Sequence, residues 1–160
     1  VHDLASGIIP LGGSTQNWYF ARVSPTPIQD GLFTPPDHPD GPGLYAGACP
    51  ECHSLHFPAS TSCPYCGSGN CGTQIVGKTG TLYLATVVTA PPPGFSGEVP
   101  YGFGLVDLPE GLRVVSVIAE TDPARLNTGL ALRLGWRTLP DATGSGQVVC
   151  WQYEPMDAAR

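Results

Sequence analysis

Cys49-Pro50-Glu51-Cys52 and, after ten intervening residues, Cys63-Pro64-Tyr65-Cys66-Gly67 are the stretches that decide the fold of this chain. Each is a CxxC knuckle with proline behind its first cysteine. Two such pairs at this separation read as one tetrahedral Zn²⁺ site held by the thiolates of Cys49, Cys52, Cys63 and Cys66. Four protein ligands leave no open position for water or substrate, so the expected role is structural. Gly67 suits the tight turn that lets backbone amides point at sulfur. Cys71 could replace a ligand, but the four-thiolate set is already complete, so Cys71 and Cys150 are read as free thiols. Cys150 lies between Val149 and Trp151 in an apparent strand, the ordinary setting of a small buried thiol. His53 and His56 are further possible ligands; with both knuckles intact they are read as imidazoles beside the site or on the surface.

Six cysteines in 160 residues also admit a disulfide framework. The doubled knuckle spacing favours metal, and with it a reducing compartment. Val1 to Pro10 lacks a basic segment and is too short an apolar stretch for a signal peptide. No run approaches the ~20 apolar residues of a membrane span. The expectation is a soluble, cytoplasmic protein with no membrane contact.

The chain is long enough for one domain with a real core, or two small ones. Its 21 glycines and 18 prolines make up about a quarter of 160 residues, which favours strands and turns over helices. Only 12% of the residues are charged, and the formal net charge is −6. A surface made for phosphate backbones carries a basic face, so this balance suits protein contacts better than nucleic acid.

Residues 1–44 show no period, and their prolines and glycines forbid a long helix. They read as an extended N-terminal arm. Its Trp18-Tyr19-Phe20 cluster has two readings, packing on its own domain or docking on another chain as interface anchors. Residues 45–76 form the ribbon. Residues 77–155 read as all-β. Strands are expected over 79–89, 101–108, 112–119, 130–139 and 147–153, from β-branched and aromatic runs bounded by turn residues. Pro91-Pro92-Pro93-Gly94-Phe95 must be a loop. The connection at 122–129 is long, with one helical turn expected near Pro123. Five short strands with one longer connection fit a Greek-key barrel of the OB type. Residues 156–160 are a tail. The predicted fold is mainly β: a rubredoxin-like zinc ribbon, then a five-stranded OB-fold barrel, with an extended arm in front.

The order of short words along the chain resembles the DUF35 family, acyl-CoA-associated zinc-ribbon/OB-fold proteins. After the two knuckles and Phe57-Pro58 come Gly80-Thr81-Leu82-Tyr83, Pro92-Pro93-Gly94-Phe95 and Val99-Pro100-Tyr101. Leu105-Val106-Asp107-Leu108, Glu110-Gly111, Asp122-Pro123 and Gly129 follow. The resemblance spans about residues 45–155. Many members begin with an amphipathic helix; residues 1–44 depart from that pattern, so no role of that helix is carried over.

The resemblance implies a non-catalytic accessory subunit. Family members accompany thiolases and thiolase-like enzymes, lipid-transfer-type aldolases, hydroxymethylglutaryl-CoA synthase and MaoC-type hydratases. The implied partner is a thiolase-like catalytic subunit in a hetero-oligomer, a heterotetramer by expectation, whose substrate is a coenzyme A thioester. Pro92, Pro93, Gly94, Phe95 and Tyr101 are the candidates for touching acyl-CoA or the partner, together with Trp18. The residues agree by omission: there is no Gly-rich phosphate loop, no HExxH and no GxSxG. Carboxylates at 107, 110, 120 and 122 fall at strand ends and turns, where solvated side chains are the rule. Single-stranded nucleic acid is the other reading an OB barrel invites, through Tyr83, Phe95, Tyr101 and Phe103. Six basic against eight acidic side chains in residues 67–160 argue against it.

Overall fold

Two sheets account for all the regular structure in the computed structural model, which describes residues 26–95, 97–141 and 146–156. Among the described residues nine strands follow one another: β1 (Thr26–Pro27), β2 (Leu44–Ala48), β3 (Leu55–His56), β4 (Gly72–Val76), β5 (Thr79–Val88), β6 (Tyr101–Asp107), β7 (Arg113–Ile118), β8 (Ala131–Pro140) and β9 (Gln147–Pro155). None of the described residues is helical.

The ribbon is a three-stranded sheet in the order β3-β2-β4. Strands β5 to β9 run in the order β9-β7-β6-β5-β8, and β8 then pairs with β9, so the sheet closes into a five-stranded barrel. Closure is long: Leu132 faces Pro155 and the register holds to Pro140 opposite Gln147. Strand β7 meets β9 in parallel through Ile118 and Tyr153, the crossing that makes the connectivity a Greek key.

Alternation builds the barrel core. Leu82, Val106, Val114, Ile118, Leu132, Leu134, Val149 and Tyr153 point inward, each no more than 4% exposed. A bulge interrupts this pattern in β5. Leu82 faces Val106 but Leu84 faces Leu105, so one residue is extra. Tyr83 and Leu84 therefore both turn outward, 45% and 60% exposed, and inward packing resumes at Ala85.

Residues 26–44 pack against both modules. Strand β1 adds in parallel to β9, with Thr26 opposite Val148. Phe33 bridges to Leu44 and enters the common core with Leu44, Ala46 and Val76 from the ribbon. The buried Thr34 hydroxyl donates to the Gly41 carbonyl and accepts from the Gly43 amide, closing the intervening loop. Trp136 Nε1 donates to the Thr34 carbonyl at 2.8 Å. Trp151 on β9 packs on Phe33 (centroids 5.5 Å) and on the edge of Phe57 (6.0 Å), joining arm, ribbon and barrel. At the ribbon–barrel turn, the Tyr153 hydroxyl donates to the Gly77 carbonyl at 2.8 Å and the Gly77 amide donates to Glu110.

Candidate metal centre and the surfaces around it

The two knuckles are built alike. The His53 amide donates to the Cys49 carbonyl at 3.0 Å, and the Gly67 amide to the Cys63 carbonyl at 3.0 Å. Four residues beyond each leading cysteine the backbone turns left-handed, at His53 (φ 57°) and Gly67 (φ 77°). The Cys49 amide returns to the Ser54 carbonyl, and the Cys63 amide to that of Ser68. Each knuckle thus holds one buried cysteine, Cys49 or Cys63, and one exposed cysteine, Cys52 or Cys66.

The four sulfurs converge. Cys49 and Cys66 are 3.6 Å apart, as are Cys52 and Cys63, and all four atoms lie within 4.8 Å of one another. A tetrahedron with Zn–S bonds of about 2.3 Å has edges of about 3.8 Å, so the donor set fits a structural Zn²⁺. The thiols perturb one another accordingly. Cys49 is lowered to about 6, chiefly by the Cys52 amide at its sulfur. Cys66 is pushed up to about 12: the Ser68 amide pulls down, but the sulfurs of Cys49 and Cys52, with burial, outweigh it. A proton held at one sulfur leaves another ionised, and a cation that binds all four displaces the remaining protons.

Two residues read as bystanders lie against this set. His56 is 6% exposed, and one of its ring nitrogens falls within 4.8 Å of the Cys63 and Cys71 sulfurs. Burial first, then the sulfurs of Cys49 and Cys63, push Cys71 up to about 11. His53, by contrast, is exposed. It helps line a cleft of about 680 Å³ between the ribbon and the β6–β7 turn, with Phe57, Tyr65, Glu110 and Arg113.

At the β5–β6 end of the barrel the structure brings together five sequence candidates. The Phe95 amide donates to the Pro92 carbonyl at 3.0 Å across Pro93 and Gly94, and Gly94 has φ 79°. Phe95 then stacks on Tyr101 with centroids 5.0 Å apart. A Cβ on Gly97 would sit 2.4 Å from the Phe95 ring, so the ring position depends on glycine there. Trp18 lies outside the described residues. Cys150 is buried, as its place in a strand suggested.

The outer face of β5, β6 and β7 carries Tyr83 and Phe103, which the sequence offered as exposed aromatics, together with Leu84 and Val115, which it did not single out. Leu84, Phe103 and Val115 are 60%, 41% and 51% exposed. With Ala85, Gly104 and Leu105 they line a shallow apolar cavity of about 370 Å³. Strict alternation would turn Leu84 inward; the bulge is what exposes it. Beside this face Arg113 lies 3.5 Å over the Tyr83 ring and pairs with Asp107, which holds the Asp107 carboxyl below its usual range.

Known families match both modules. The family described as "ChsH2, rubredoxin-like zinc ribbon domain" covers residues 39–75, and "ChsH2, C-terminal OB-fold domain" covers 73–137. A Pyrococcus furiosus "DUF35 domain-containing scaffold protein" is 33% identical over 115 residues, which are 71% of this chain and 83% of that one. A "Probable enoyl-CoA hydratase alpha subunit" of Thermomonospora curvata is 36% identical over 89 residues, 55% of this chain. The chain spans only 27% of that relative's length. The Thauera aromatica "Benzoylsuccinyl-CoA thiolase subunit BbsA" is 31% identical over 87 residues, 52% of this chain and 56% of that one. Among solved structures, the "Ltp2-ChsH2(DUF35) aldolase" superposes with a TM-score of 0.57 at 30% identity, covering 71% of this chain and 84% of that one.

Proposed function

This chain belongs to the DUF35 family of zinc-ribbon/OB-fold proteins, and from that premise we propose that it is a non-catalytic docking subunit of an acyl-CoA enzyme with a thiolase-like catalytic chain. One structural Zn²⁺ on Cys49, Cys52, Cys63 and Cys66 holds the ribbon, and the partner carries the chemistry. The observation that carries this reading is the exposed apolar face at Leu84, Phe103 and Val115, on a barrel that follows a ribbon whose four cysteines make a closed metal site. An apolar face rimmed by charge suits a protein contact. Of the barrel's arginines, Arg113, Arg125 and Arg133 are each paired with a carboxylate, an arrangement that does not favour a phosphate track. The relatives named as a thiolase subunit and as an aldolase complex support thiolysis or retro-aldol cleavage of a coenzyme A thioester by the assembled enzyme. Hydration is the third option, through the hydratase-subunit relative.

The purified chain alone is expected to turn over no acyl-CoA thioester. Isolated from its own host under mild conditions, it is expected to carry a thiolase-fold chain in a fixed ratio. Thiolysis or retro-aldol turnover by the single chain would sink the proposal.

The β5–β6 loop is the proposed contact with acyl-CoA or with the partner beside it, because OB barrels use the loops at this end for ligands. Phe95→Ala in the assembled enzyme is expected to raise KM for the thioester up to about tenfold, the loss of one aromatic contact. An unchanged KM with normal assembly would remove the loop from the substrate path.

A further inference from the structure

We propose that His56, Cys63 and Cys71 form a second thiophilic metal site, sharing the Cys63 sulfur with the four-thiolate set. One ring nitrogen of His56 and the sulfurs of Cys63 and Cys71 lie within 4.8 Å of one another, and two of the three side chains are buried. The imidazole is prepared for coordination. His56 Nε2 is 3.3 Å from the Ser60 carbonyl oxygen. A carbonyl only accepts, so the ring proton sits on Nε2 and Nδ1 keeps a free lone pair. Nδ1 is buried and has no hydrogen-bond partner among the described residues. Burying an acceptor unpaired is costly, and a ring with one nitrogen tied to a backbone carbonyl and the other left free is the usual arrangement of a ligating histidine.

The backbone keeps room for this ring. Gly47 on β2 faces His56 on β3, and a Cβ at position 47 would come within 2.1 Å of Nε2. On the other side, the Cys71 amide donates to the Thr61 carbonyl at 3.0 Å, which ties Cys71 to the loop leading into the second knuckle.

Charge favours the second ion. Four thiolates around one Zn²⁺ carry a net charge of −2. A second divalent ion that takes Cys71 as thiolate, bridges through Cys63 and binds neutral His56 brings the pair to −1. Binding releases one proton, from the Cys71 thiol. Three protein ligands leave a fourth position for water. The competing arrangement keeps Cys71 protonated, its S–H directed at the Cys63 thiolate, with one ion in total.

Ion counting separates the two. The full chain is stripped of metal under reductant and reloaded with excess Zn²⁺ or ¹¹³Cd²⁺. Free ion is then removed by gel filtration, and ions per chain are counted by native mass spectrometry. Two ions are expected in the parent chain, and one in Cys71→Ser and in His56→Gln. In the cadmium spectrum both variants are expected to keep the four-sulfur resonance, which reports an intact ribbon, and to lose a second one at the shift of a mixed sulfur–nitrogen site. One ion in the parent chain overturns the proposal, as does a Cys71→Ser variant that still holds two.

Discussion

Cys63→Ser is expected to abolish the ribbon. Cys63 is buried, serves the four-thiolate set and is the sulfur shared with His56 and Cys71, so one substitution strips both donor sets. Structural zinc contributes about 10–16 kcal/mol in small metal domains, more than the whole stability of most folds. The damage spreads, because Leu44, Ala46 and Val76 at the ribbon's base are part of the barrel's own core. The variant is expected to lose its zinc, to exchange the amides of β2, β3 and β4 rapidly, and to stop co-purifying with a catalytic partner. A variant that keeps the partner while exchanging freely would show that the ribbon is not the organising element.

Tyr153→Ala is the second large effect expected. This side chain is fully buried, and its hydroxyl closes the ribbon–barrel turn on the Gly77 carbonyl. Removing a buried aromatic costs about 3–5 kcal/mol, a large share of a total of about 5–15. Tyr153→Phe keeps the ring and loses only the hydrogen bond, a cost of about 1–3 kcal/mol for the carbonyl left unpaired. Urea unfolding of the two variants separates packing from polar satisfaction; equal losses would mean that the ring itself contributes little. Alkaline pH adds a second readout. Burial, followed by the Glu110 charge, raises the Tyr153 pKa. The unfolded chain ionises this phenol near its ordinary value of about 10, whereas the folded chain holds the proton. The folded state then binds more protons, so this contribution to stability is complete below pH ~10 and fades as pH rises through the folded value. Tyr153→Phe is expected to flatten that decline.

Much of the barrel is legible in the sequence because its signals are local. Runs such as Thr79–Val88 and Arg113–Ile118 are rich in β-branched residues and end at turn residues, and that composition is written in one strand at a time. Strand β9 continues to Pro155, past the expected end at 153, because Pro155 pairs with Leu132. That extension depends on a partner some twenty residues away. Near Pro123 a helical turn was the expectation; the amides of Arg125 and Leu126 reach back three residues to Asp122 and Pro123, and the chain then turns away. The convergence of the four sulfurs is legible too, since knuckle spacing fixes it.

What escaped reading has no local signature. Residues 26–44 lack any period because single long-range contacts fix them, such as Trp136 on the Thr34 carbonyl. The outward turn of Leu84 follows from a bulge that only the register with β6 reveals. The approach of His56 to Cys71 depends on the absence of a side chain at Gly47, a condition that cysteine and histidine spacing does not encode.

The turn at Gly77 is gripped on both sides, by the Tyr153 hydroxyl at its carbonyl and by Glu110 at its amide. A turn held in this way acts as a weld, not a hinge. The zinc-bearing ribbon is therefore fastened to the start of β5, and the loop that carries Phe95 follows the other end of that ten-residue strand. A protein that touches both ends has to match their spacing, so recognition is a matter of length as well as chemistry.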